Sequence, residues 1–237
     1  MTRAPIGTVL RRTGSSLVRH GGFYALVTAA AVGASWLIAR AVPGPETIGV
    51  DVATSVVSPI FNAIVIATSL ADWNGIKDAR GTWSRILDRS WALIVIDFLL
   101  TVLQVYDITF SRGDLVDFLL AIPLFVMVAA TCFAEVVAVA DDDSPWWWIP
   151  VRSFGASAIA AFSPGMFVRA ASLGALQIAV SLAIELAADV LTQQKVGQAL
   201  FWSAIVLGML TLPPIQALVT FTYLDAAGGE SKRSCDE

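Results

Sequence analysis

Six long apolar runs dominate this chain, and few folds can accommodate them. They extend roughly from Phe23 to Val42, Ile48 to Ala71, Trp91 to Tyr106, Leu115 to Ala140, Met166 to Val190 and Val196 to Leu224. About 20 apolar residues in a helix cross the roughly 30 Å hydrocarbon core of a bilayer. The third run is shorter but extendable at both ends. Strands of a membrane barrel alternate apolar and polar residues over about 10 positions, and these runs do not. A helix satisfies each backbone amide within its own segment, as hydrocarbon requires. The expectation is an all-α integral membrane protein with about six transmembrane helices. Residues 1–237 would form a single membrane domain, with 225–237 a short polar cytoplasmic tail. Pro59, Pro123 and the Pro213-Pro214 pair fall inside runs, where each removes a donor and favours a kink.

Composition supports the same solvent. The chain is 57% hydrophobic and 14% charged, whereas soluble domains carry about 25% charged residues. Its net charge of −4 gives no basic footprint for nucleic acid, so no nucleic-acid partner is expected. Cys132 lies in an apolar run and Cys235 in the charged tail, a difference in depth that argues against a disulfide. With His20 as the only histidine and no paired cysteines, a zinc site lacks ligands. No cofactor is expected.

Orientation follows from the basic residues, which favour the cytoplasmic side. With the N-terminus inside, that side holds Arg3, Arg11, Arg12, Arg19, Lys77, Arg80, Arg85, Arg89, Arg152, Arg169, Lys232 and Arg233. Only Arg40, Arg112 and Lys195 fall outside. The expected location is a bacterial or archaeal cytoplasmic (inner) membrane, with both termini cytoplasmic. A cleavable signal peptide is the rival reading of the first run, which is longer than the usual 7–15 apolar residues.

Three inner basic segments share a pattern. Ile6, Val9, Leu10, Leu17 and Val18 follow helical spacing among Arg11, Arg12 and Arg19. Trp83, Ile86 and Leu87 do so beside Arg80, Arg85 and Arg89, and Val151, Phe154, Ala158 and Phe162 beside Arg152. A helix apolar on one face and basic on the other lies in the membrane interface. The pattern suggests three repeats, 5–71, 76–140 and 147–224, each an interfacial amphipathic helix followed by a helical hairpin. Gly21-Gly22 and Ser163-Pro164-Gly165 would form bends between interfacial helix and span. The alternative is that short basic loops precede spans in any protein of this orientation.

The opening Pro5-Ile6-Gly7-Thr8-Val9-Leu10-Arg11-Arg12, the central Arg152-Ser153-Phe154, and the closing Pro213-Pro214-Ile215 with Phe221-Thr222-Tyr223-Leu224-Asp225 carry a resemblance. They resemble a prokaryotic membrane-domain group that includes the membrane domain of glycerophosphodiester phosphodiesterases. In that group a basic residue follows the closing aspartate, whereas Ala226-Ala227-Gly228 follows here. The phosphodiesterase is a separate barrel of about 250 residues, for which there is no room. The resemblance therefore implies a six-span membrane domain and no enzyme activity.

Asp97, Glu135 and Glu185 lie within runs, and an intramembrane carboxylate is a functional candidate. Asp97 is about 9 Å into its run at 1.5 Å per residue. Glu135 falls near the inner end of its run and Glu185 near the outer end, where water can reach both. Asp72 to Arg80 differs from the metal-binding motif of membrane CDP-alcohol phosphotransferases. Asn74 rather than aspartate precedes Gly75, and only Asp88 follows. Asp141-Asp142-Asp143 reads as a solvated turn, because three adjacent side chains seldom converge on one cation. Trp146, Trp147 and Trp148 fit an interfacial belt, with rings in the apolar phase and N–H groups in the polar one. Ala29-x-x-x-Gly33 and Ala170-x-x-x-Gly174 permit close helix packing, internal or between copies.

The function expected from these features is non-enzymatic: an accessory or scaffold role with membrane lipids, and possible membrane-protein complexes, as partners. Arg11, Arg12, Arg19, Arg85, Arg89 and Arg152 would contact anionic headgroups, each contributing about 1 kcal/mol near the surface. The alternative is a small transporter or permease component using the intramembrane carboxylates.

Overall fold

The computed structural model describes residues 6–42, 46–74, 84, 86–99, 123, 126–140, 145–177, 179–180 and 198–231. The protein is all-helical, with no strand among the described residues. Helix α1 is Ile6–Ala41 and α2 is Glu46–Asn74. Helix α3 covers 86–99. Helix α4, Val126–Ala140, is interrupted by a turn at Cys132-Phe133. A 3₁₀ turn at Trp146–Trp148 leads into α5, Ile149–Phe162. Helix α6 covers 167–177, and α7 is Gln198–Ser231. Among the described residues, two helical stretches are long and apolar enough to cross a membrane, Ile6–Ala41 and Ser55–Asn74.

The first in-plane segment and the first run form one helix. Helix α1 passes through Gly21-Gly22 without a break, contrary to the expected bend. Two glycines weaken a helix by about 1 kcal/mol each, but the pair is braced from both sides. Val9, Thr13, Ser16, Tyr24, Thr28, Ala31, Ser35 and Ala39 form a buried stripe at three- and four-residue intervals. This stripe packs on α2 and α7. Side-chain packing on either side of the pair therefore holds the backbone helical.

The third segment does break. The chain turns at 163–166 after α5, and Gly165 adopts a φ of 76°, which glycine tolerates without steric cost. The Ser163 hydroxyl donates to the Ala160 carbonyl at 2.8 Å, and the Met166 amide donates to the Ser163 carbonyl at 2.9 Å. Two of the three proposed units thus differ at their first junction. In the second unit α3 passes from the basic segment into the run at Trp91 without a break, while most of 75–85 and the chain at 100–122 and 181–197 lie outside the described residues.

Two apolar clusters form the interior. One joins α1, α2 and α7 through Val9, Tyr24, Val57, Phe61, Val65, Ala217 and Phe221. The other gathers Ile66, Leu93, Ile96, Phe133, Val136, Ile149, Met166 and Val219 from α2 through α7. The surface is unlike that of a water-soluble bundle. Val18, Leu87, Val168 and Ile159 are 88%, 71%, 71% and 70% exposed. Thr13, Ser16, Thr28, Ser35, Ser69, Ser153, Ser157 and Thr220 are buried. On α5 the inward face is Ser153, Ser157 and Ala161, while Val151, Ile159 and Phe162 point out. Of the anticipated apolar face, Val151 and Phe162 point out, whereas Phe154 packs against the core.

Candidate functional site

Two helices bring amide side chains to Glu135 of α4, and a third brings Asp97 near it. Glu135 is buried. Asn62 of α2 directs its amide nitrogen at both carboxylate oxygens, 3.2 Å from one and 3.3 Å from the other. Gln216 of α7 donates to Oε2 at 2.8 Å. Asp97 of α3 lies within electrostatic reach of Glu135. A carboxylate in an apolar interior is costly unless donors replace its water, and here two amides do so. With its nitrogen turned to Glu135, Asn62 leaves Oδ1 buried without a hydrogen-bond partner.

The helix carrying Glu135 is broken two residues before it. At this break Ser157 of α5 replaces the missing helical hydrogen bonds. Its hydroxyl donates to the Ala130 carbonyl at 2.6 Å and accepts from the Phe133 amide at 3.1 Å. Regular helix bonding resumes with the Val137 amide on the Phe133 carbonyl at 2.9 Å. Freed backbone groups survive in a buried setting only where a side chain or water satisfies them. The break has such a partner.

Glu135 is deeper than its position in the sequence suggests. It lies near the end of its run, yet it meets Asn62 in the middle of α2 and Gln216 in the middle of α7. Asn62 precedes Asp72 by ten residues, about 15 Å of helix. The expectation of ready water access to Glu135 is corrected by this burial. Glu185 lies outside the described residues, as do Asp141, Asp142 and Asp143. Asn62, Gln216 and Ser157 were missed from sequence. The available signal was a lone amide in the middle of each of two apolar runs.

A second polar cluster closes the bundle where α1 begins and α2 ends. Asp72, just beyond the apolar run of α2, accepts from Ser16 Oγ at 2.6 Å. It also meets Arg19 NH1 at 3.1 Å and His20 Nε2 at 3.0 Å. Burial pushes its carboxyl up, but the bonds from Ser16 and His20 and the charges of His20 and Arg19 outweigh burial and hold it below the ordinary aspartate value. The Arg12 guanidinium lies 4.4 Å from the Trp73 ring centre, a favourable cation–π distance. Arg12 and Arg19 thus have protein partners in addition to any headgroup. Arg11 and Arg152 are exposed, Arg89 is partly buried, and Arg85 lies outside the described residues.

Trp146, Trp147 and Trp148 are exposed. Trp146 also packs edge-on against Trp91 of α3 at 5.2 Å. Of the closing motif, Asp225 pairs with Arg169 of α6 at 3.3 Å, both side chains being mostly buried. Tyr223 packs on Phe133 at 5.7 Å. The two small-residue patterns separate. Gly174 faces Val128 closely, whereas nothing lies within 4 Å of a side chain added at Gly33. Cys132 is a free thiol. Among the described residues, no three His, Cys, Asp or Glu side chains are grouped to hold a metal ion.

Comparison with protein-family models, with curated proteins and with solved structures yields no match.

Proposed function

We propose that the protein is a multi-pass inner-membrane protein of about six spans, and that it acts as a small transporter or permease component with Glu135 as its working group. The observation that carries this reading is the buried Glu135 held by amides from α2 and α7 beside a break in its own helix. Broken helices and polar side chains meeting at mid-depth are how many transporters build a site inside a bilayer.

The membrane reading draws support from the surface and the lengths. Lipid tails favour an apolar exterior, and helix contacts in lipid favour small and hydroxylated residues. Exposed Val18, Leu87, Val168 and Ile159 over a hydroxyl-lined interior fit that pattern. At 36 residues, α1 is about 54 Å long, enough to cross the core and continue beyond it. With Asp72 at the cytoplasmic boundary, Asn62 and Glu135 fall near the bilayer midplane, half of about 30 Å away. Both termini are then cytoplasmic, as the basic residues require.

An accessory role in contact with anionic lipid, the reading the sequence favours, is the second reading. Exposed Arg11 and Arg152 and the exposed Trp146, Trp147 and Trp148 favour it. The likeness to the prokaryotic membrane-domain group is compatible with either role. The test is ion and solute flux in liposomes carrying the purified protein, with Glu135→Gln alongside. Flux lost in Glu135→Gln supports transport. Absence of Glu135-dependent flux, together with a stoichiometric protein partner on purification from native membranes, transfers the function to the accessory reading.

A further inference from the structure

We propose that the ligand of this site is a proton carried by Glu135, and that Asn62 is the acceptor that recognises the loaded state. The inference rests on reading Glu135 as the working group of a site inside the membrane.

The donor set argues against a metal ion. Among the described residues each hydrogen bond to the Glu135 oxygens comes from an amide N–H, two from Asn62 and one from Gln216. These hydrogens point their positive ends at the oxygens a cation would need. A hard cation is bound by several converging oxygens, and among the described residues no three His, Cys, Asp or Glu side chains are grouped to supply them. A proton needs one oxygen and one acceptor.

Asn62 carries that acceptor on the far side of its amide. Asn62 Oδ1 is buried without a partner, which costs about 1–3 kcal/mol for a buried polar group. Half a turn of the Asn62 amide exchanges its nitrogen and oxygen. A protonated Glu135 then donates its O–H to Oδ1, while Gln216 continues to donate to the other carboxyl oxygen. The only bond made is O–H, and the proton is the only species taken up. Oδ1 thus gains a partner in the loaded state, and the amide nitrogen takes over the position in which Oδ1 had none.

The preference for the loaded state comes from the surroundings. Among the described residues α2 and α7 bring amides to Glu135, and α5 brings Ser157 to the backbone before it. Helix α3 brings Asp97, a second carboxyl group. Two ionised carboxylates in a poorly hydrated interior repel each other, and one proton removes that repulsion.

Infrared difference spectroscopy on the full-length protein in liposomes tests this, first stepping pH at constant salt and then stepping Na⁺ or K⁺ at constant pH. The expected result is a protonated-carboxyl C=O band that grows on acidification and ignores Na⁺ and K⁺. It is lost in Glu135→Gln and displaced in Asn62→Ala. Where Glu135→Gln fails to assemble, Glu135→Asp shifts the band instead of deleting it. A carboxylate band that responds to Na⁺ or K⁺ overturns the proposal in favour of a cation site. Persistence of the acid-induced band in Glu135→Gln overturns it in favour of Asp97, and an unmoved band in Asn62→Ala removes Asn62 as acceptor. A titrating Glu135 band without Glu135-dependent flux keeps the proton site and overturns the transport reading alone.

Discussion

The hydroxyl of Ser157 donates to the carbonyl of Ala130 at 2.6 Å across the break in α4, and through that contact α5 fixes the helix segment that carries Glu135. The same oxygen accepts from the Phe133 amide, so one side chain satisfies two buried backbone groups. Ser157→Ala leaves both unsatisfied. We expect a loss of about 1–3 kcal/mol, seen as a lower midpoint of thermal unfolding in detergent, with the Glu135 infrared band broadened. An unchanged midpoint would show that water or a helix rearrangement repairs the break.

Gly174 on α6 fixes the approach of α4 from the opposite direction. A Cβ there would stand 2.7 Å from Val128 Cγ1 and 3.5 Å from the Val128 carbonyl oxygen. Valine is stiff at χ1, so the strain reaches the backbone. Gly174→Leu is expected to lower stability by more than about 2 kcal/mol, within or above the usual cost of overpacking. Gly33→Leu meets open space and should leave the unfolding midpoint unchanged. A comparable loss at both positions in unfolding scans would sink the assignment of Gly174 to an internal contact.

What could be read from the sequence was what depends on long apolar runs. Helical structure follows directly from that pattern, and Asp97 and Glu135 stood out as charges inside it. The sites of the breaks were less legible. Gly21-Gly22 contains two poor helix formers, yet the stripe from Ser16 to Thr28 packs across them and α1 continues. Cys132-Phe133 contains no breaker, yet α4 opens there because Ser157 supplies the missing bonds from a distant helix. Such a break belongs to tertiary contact and leaves no local signature. The amides were legible in principle, since Asn62 and Gln216 sit alone in apolar surroundings. Their convergence on Glu135 needed the fold.

Asp72 should be the strongest point of the α1–α2 closure. It is partly buried and takes contacts from Ser16, Arg19 and His20. Asp72→Ala is expected to cost about 1–3 kcal/mol by stranding these donors. Arg19→Ala should cost under about 1 kcal/mol, because Arg19 is largely exposed and its pair is screened. The folded carboxyl titrates below its ordinary value, so its contribution is complete above about pH 4. It is lost as pH falls through the folded value. Chemical unfolding of the wild type and Asp72→Ala at pH 7 should therefore differ more than at pH 3. Equal differences would deny Asp72 its charged role.

The pair of Arg169 with Asp225 behaves differently, because both side chains are mostly buried. Separating two charges from water is expensive, and their attraction offsets the cost only while both remain. Removing Arg169 leaves the Asp225 carboxylate without its opposite charge. Arg169→Leu is expected to lose about 3–5 kcal/mol, the usual cost of leaving a buried charge unpaired, and Asp225→Leu less, because Arg169 keeps another contact. The double variant removes both charges and should recover much of that loss. Thermal unfolding of the four proteins in the same detergent supplies the comparison. Losses that simply add would mean that each side chain acts through its other contacts, and the link between α6 and the closing motif would not depend on this pair.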